Sequence, residues 1–169
     1  MAEGRMTPLS IVAVVALLLF AGFLAGSESA INSISRIFIE ELEEKSSRRA
    51  ALVAKVLAEP ARYLNVILFV RKASELTATV IVAEELRARF DSTLVALSCA
   101  IAIMLILSYV VVGVGPRTLG KQKAGRWIVP ASIVASILST VLGPITSLLI
   151  AIGNAITPGK GFKTGPFAN

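Results

Sequence analysis

The stretch Leu68 to Val80 reads LFVRKASELTATV, which sets Arg71, Lys72 and Glu75 inside an otherwise apolar run. Further up the chain, AGFLAGSESAINSIS carries Glu28, Ser29, Asn32 and Ser33. Further down, VVGVGPRTLGKQ carries Gly113, Gly115 and Pro116. Carboxylate, hydroxyl, amide and backbone carbonyl oxygens of this kind suit hard cations better than soft ones. The chain has no histidine and one cysteine, Cys99, so zinc sites, disulfide frameworks and His-dependent catalysis are excluded within it. Nothing assembles a nucleophile, a base and an orienting group, so the sequence does not read as an enzyme.

The three charges set an energetic problem. On insertion scales an Arg, Lys or acid near the centre of a membrane helix costs roughly 2.5–3.5 kcal/mol, while each Leu, Ile, Phe or Val contributes about −0.3 to −0.6. The ten or so such apolar residues between Tyr63 and Ala83 supply about −3 to −6 kcal/mol against a cost of about 8–10. At helical spacing, Asn65, Arg71, Lys72, Glu75 and Thr79 fall within an arc of about 120°. That face is expected to turn toward protein or a wet cavity, because lipid offers it no partner. A neighbour is available in the first apolar segment, where Gly22, Gly26, Ser29 and Ser33 form a small-xxx-small stripe that lets backbones approach, with Glu28 and Asn32 beside it.

Two roles are open to this network. Arg71 pairs with Glu75 and Lys72 with Glu28, locking the helices; or Glu28 and Glu75 line a cation pathway. Gly113, Gly115 and Pro116 are equally double. They either stop the third helix, or unwind it so that carbonyl oxygens become cation ligands.

The elements that must position these groups belong to a membrane protein. The 169 residues are 55% hydrophobic and 17% charged, with a mean hydropathy of +0.78. Uncharged runs of roughly 22, 25 and 33 residues, from Met6 to Ser27, Ser92 to Pro116 and Trp127 to Gly159, are each long enough to span the bilayer core. The apolar N-terminal run resembles a secretory signal, but MAEGR carries little positive charge and further apolar segments follow. The net charge of +6 is clustered at Arg36 to Arg62, Arg117 to Arg126 and Lys160 to Lys163. That distribution speaks for membrane topology and not for nucleic acid. With the N-terminus outside and three crossings, the first two clusters are cytoplasmic. The third joins them if the fourth segment, broken by Pro130, Gly143 and Pro144, lies as a kinked belt at the inner interface; four full crossings is the alternative. The expected fold is therefore an all-α integral membrane protein with three transmembrane helices and a Pro-kinked juxtamembrane belt helix.

Between the first two segments the helical pattern continues, with Glu41 to Lys45 and Glu44 to Arg48 at salt-bridge spacing on a solvated face. Leu52, Val53, Val56 and Leu57 then mark a short amphipathic helix resting on the cytoplasmic surface, ended by Pro60. Residues 158–169, rich in Gly, Pro and Lys, read as a linker after a membrane domain of residues 1–157.

Taken in this order, GFLAGSESAINSISR, EPARYLNVIL and GPRTLGKQ resemble the first-helix motif Ser-Gly-x-x-Ser-Gly-x-Glu-x-Ala, the approach to the second helix and the Leu-Pro-Lys-Thr-Leu turn of the CNNM/CorC, or hemolysin-like, magnesium transporters. The resemblance covers nearly the whole chain. It implies a homodimer in the cell membrane, a cytoplasmic C-terminus, and magnesium export driven by sodium influx. It also implies nucleotide-binding CBS domains after the membrane domain, so a chain stopping at GPFAN reads as a fragment.

The departures are chemical. Where the family has a serine before Gly-x-Glu, this chain has Ala25; its Gly-Asn-Asn is Val70, Arg71 and Lys72; its next asparagine is Glu75; its acidic residue before the proline turn is Gly113. One carboxylate has in effect moved between helices. At an effective dielectric of ~20 a cation 4 Å away opposes a divalent ion by about 8 kcal/mol, so Arg71 and Lys72 must swing clear if Mg²⁺ is to bind. Two functions follow: transport of Mg²⁺ by Glu75, Glu28, Ser29, Ser33 and carbonyls near Gly113, or a non-transporting membrane scaffold in which Arg71 or Lys72 occupies the former cation site.

Overall fold

Thr7 opens the first helix by accepting a hydrogen bond from the backbone N–H of Ser10 at 3.2 Å, and Pro8 supplies the pre-set φ of a first helical position. In the computed structural model, which describes residues 7–45 and 47–156, the first helix α1 runs Pro8–Ile31, followed by α2 (Arg36–Lys45), α3 (Ser47–Ala58) and α4 (Pro60–Arg87). Then come α5 (Thr93–Leu107), a π-helical segment (Ser108–Val114), α6 (Gly115–Gln122) and α7 (Ala124–Ile156). The described chain is all-α, and three stretches are long and apolar enough to cross a membrane: Pro8–Ile31, Thr93–Gln122 and Ala124–Ile152. Helix α4, at 28 residues, has the length but carries the internal charges.

Helices α1 and α4 are antiparallel. The hydroxyl of Ser10 donates to Glu85 near one end, and Glu28 meets Arg71 toward the other. Helix α4 is enclosed by α1, α5 and α7, while the π segment, α6 and α7 cover the rest of α1. Two apolar cores result. One gathers Val14, Leu18, Ala78, Val82, Ala100 and Met104 at the Ser10 end. The other gathers Leu24, Ile31, Tyr63, Leu64, Ile67 and Ile128 at the Glu28 end. Between the two cores lie the charges.

The fourth segment is a helix, as expected, and α7 continues through Pro130 and Pro144. Each proline removes only one backbone donor, and neighbouring helices help a membrane helix absorb that loss. One expectation is corrected: the helical pattern is interrupted after α1, which ends at Ile31, and resumes only at Arg36. Glu44 and Arg48 form no ion pair among the described residues; the side chain of Lys45 lies outside the described ones. Helix α3 is amphipathic as expected and ends before Pro60, but its apolar face meets protein. Val53 and Val56 are fully buried in the core with Leu24 and Ile128. The tail, residues 157–169, lies outside the described residues.

Candidate functional site

The charges of α4 are enclosed as the energetics require. Arg71 is only 6% exposed, and its Nη1 donates to Glu28 Oε2 of α1 at 2.5 Å. Its Nε lies 3.7 Å from Glu75 Oε1, one helical turn on. That nitrogen is buried and has no hydrogen-bond partner, so the guanidinium is hydrogen-bonded to Glu28 and engaged only electrostatically by Glu75. A second guanidinium joins from α6, where Arg117 Nη2 is 3.7 Å from Glu28 Oε2. Glu28 thus binds two cations, and Glu75 also has Lys72 Nζ at 3.9 Å.

Lys72 corrects two expectations. It pairs with Glu75 and not with Glu28, and its side chain is 60% exposed. One residue is 100° of helix rotation, which aims Arg71 at α1 and swings Lys72 to the rim. The cluster holds two carboxylates, Glu28 and Glu75, against three cations, Arg71, Lys72 and Arg117. Its formal charge is +1.

The glycine stripe of α1 does let a backbone approach, but the partner is the π segment and α6, not α4. A Cβ on Gly22 would stand 2.9 Å from the carbonyl oxygen of Val111 and 3.1 Å from Pro116 Cγ. At Gly26 it would meet the ring of Trp127 at 2.7 Å, and a Cβ on Gly120 would run into the backbone of Gly26. This crossing brings Arg117 beside Glu28. Ser29 fixes it further by donating its hydroxyl to the carbonyl oxygen of Arg117 at 2.8 Å. The Trp127 indole also donates to Ser27 Oγ at 3.3 Å and stacks on Phe23, tying α7 to α1.

Neither a helix stop nor an unwound loop occurs at Gly113 to Pro116. The helix continues into α6 with Ser108–Val114 in π register and Pro116 in the first turn of α6. π bonding runs from i to i+5, so the donor missing at Pro116 is the one that Val111 would have received. The carbonyl of Val111 is the one beside Gly22.

The residues expected to share a cation site fall into two clefts. Gly113 lines one of about 380 Å³ with Arg71, Lys72, Glu75 and Ser108. Glu28, Ser29, Asn32 and Ser33 line another of about 220 Å³. Arg117 lines both. Asn32 caps α1, its backbone N–H reaching the carbonyls of Glu28 and Ala30. Arg117 was missed from the sequence; the signal available was its place directly after Pro116, in the first turn of a helix that crosses the glycine stripe.

The sequence matches the model of the cyclin M (CNNM) transmembrane N-terminal domain over residues 12–168. It is also similar to two curated proteins, the UPF0053 proteins Mb2387c of Mycobacterium bovis and Rv2366c of Mycobacterium tuberculosis. Each is 38% identical over 155 residues, covering 92% of this chain and 35% of the relative. The chain therefore spans about a third of the length of these relatives. With three apolar helices of crossing length and a family match over nearly all of its length, this multi-pass membrane chain belongs to the CNNM transmembrane domain family.

Proposed function

We propose that the chain is the membrane part of a divalent-cation transporter whose cargo is magnesium, exported across the cell membrane with sodium influx as the driving gradient. The observation that supports this best is the convergence of Glu28 and Glu75, from adjacent helices, on the enclosed guanidinium of Arg71, at 2.5 and 3.7 Å. Two carboxylates are held in a shielded place with a cation between them. Arg71 is then a tethered stand-in for cargo. A magnesium ion entering by the cleft of Glu75 and Gly113 displaces it, because a cation 4 Å away opposes a divalent charge by about 8 kcal/mol at an effective dielectric of ~20. In this proposal two copies form a homodimer, the C-terminus is cytoplasmic, and CBS-type domains occupy part of the remaining length of such proteins.

A second function, a non-transporting scaffold with Arg71 as permanent occupant, is favoured by the +1 charge of the cluster and by the commitment of the Ser29 hydroxyl to α6. Proteoliposomes with a magnesium-sensitive dye inside separate the two. Transport predicts flux above background, lost in Glu75→Gln together with any Mg²⁺-dependent protection against heating. Background flux from a chain that still dimerises assigns the scaffold role instead.

A further inference from the structure

A cleft of about 600 Å³ lies away from the charge cluster, between the first turns of α4 and the second half of α7. Its floor is polar and buried, formed by Asn65, Ser139 and Thr146. At its rim stand Arg62 and Glu59, both side chains more than half exposed.

The hydrogen-bond inventory divides the groups that line the cleft. Arg62 Nε donates to Ser139 Oγ at 3.1 Å, which makes Ser139 an acceptor there and leaves its own proton to give. The guanidinium, Ser139 and Ser147 therefore supply donors to the cleft. The hydroxyls of Thr140 and Thr146 have spent their protons on backbone carbonyls, those of Ser136 and of Leu142 and Gly143. They present only lone pairs, and with the Glu59 carboxylate they supply acceptors. The Arg62 to Glu59 contact is a loose i,i+3 pair at 3.6 Å, of the exposed kind that opens readily.

A guanidinium with hydroxyl donors and a carboxylate with hydroxyl acceptors, lining one cleft, fit a zwitterion carrying a phosphate and an ammonium. The setting says where it comes from. The cleft lies at the start of α4, where the charged α2 and α3 give way to its apolar run, and Arg62 at the rim is a side chain suited to a bilayer interface. Along α7 next to the cleft, Ile145, Leu148, Leu149 and Ile152 are exposed apolar side chains, a rail on which acyl chains can lie.

We propose that this cleft binds the headgroup of an ethanolamine phospholipid, with the phosphodiester on Arg62, Ser139 and Ser147 and the ammonium on Glu59 and the threonine oxygens. Gly143 provides a clean test. A Cβ there has only Ser139 Oγ nearby, at 3.9 Å, so Gly143→Leu fills the cleft without displacing backbone and adds helix propensity.

The experiment is native mass spectrometry of the detergent-purified chain with phosphatidylethanolamine, phosphatidylglycerol or phosphatidylcholine of identical acyl chains, and separately with inorganic phosphate. Phosphatidylethanolamine is expected to be retained over the other two. In Arg62→Ala its apparent affinity should fall about tenfold, as for the loss of one charge-assisted hydrogen bond. Gly143→Leu should abolish retention with an unchanged thermal midpoint. Equal retention of all three lipids, preference for phosphatidylglycerol, occupancy by inorganic phosphate alone, or undiminished retention in Gly143→Leu would each overturn the proposal. None of these outcomes depends on whether the chain transports magnesium.

Discussion

If Arg71 and Glu28 act as one unit, removing either should cost nearly as much as removing both. Arg71→Met keeps much of the side-chain volume but leaves Glu28 and Glu75 short of their enclosed cation. Breaking a buried pair by deleting one partner costs about 3–5 kcal/mol. Arg117, 3.7 Å from Glu28, and Lys72, 3.9 Å from Glu75, offset part of that, so the expected loss is about 2–3 kcal/mol. Glu28→Gln strands the guanidinium with Glu75 at 3.7 Å as its remaining acid, with a similar expected loss. In the double variant both charges of the closest contact are gone, and the loss should stay near 3 kcal/mol, a coupling of about 2 kcal/mol. Reversible unfolding in mixed SDS and mild-detergent micelles, followed by far-UV circular dichroism, gives all four corners of the cycle. Losses that simply add, to within about 0.5 kcal/mol, would show that the two residues are neighbours without being partners. That result would remove the enclosed pair as the reason a charged α4 is tolerated.

Other outcomes follow from the packing. Gly120→Val pushes a side chain into the backbone of Gly26 and should destabilise by more than about 3 kcal/mol, the upper range of overpacking, visible as loss of the monodisperse species on size exclusion. Trp127→Phe keeps the stacking on Phe23 but forfeits the hydrogen bond to Ser27, costing about 1 kcal/mol in the same unfolding assay. Pro116→Ala returns a backbone donor below Val111, and amide hydrogen exchange over residues 108–118 should slow. Faster exchange there would argue that the proline holds the segment together.

The all-α membrane class was legible because apolar run length is a strong signal, and so was the enclosure of Arg71 and Glu75, which follows from the cost of charge in lipid. Partner identity was less legible. Arg71 and Lys72 differ by one residue, and only the placement of α1 decides which of them reaches Glu28. The glycine stripe announced a close approach without naming the approaching helix. Arg117 was hidden because a count at 3.6 residues per turn from α5 onward mis-aims every side chain after the π segment. Helix α7 runs on through Pro130 and Pro144 because proline and glycine punctuate soluble helices more strictly than those surrounded by protein and lipid.

The π stretch from Ser108 to Val114 also stores slack. Bonding from i to i+5 spends an additional residue in each turn, so a single deletion inside these seven residues can be absorbed by tightening to ordinary α geometry, with Thr93 to Leu107 and Gly115 to Gln122 still aimed at their present neighbours. The same deletion placed in α4 would rotate everything beyond it by 100° and carry Arg71 or Glu75 out of the bundle. Length variation within this domain should therefore be tolerated at one helical position and refused at the other.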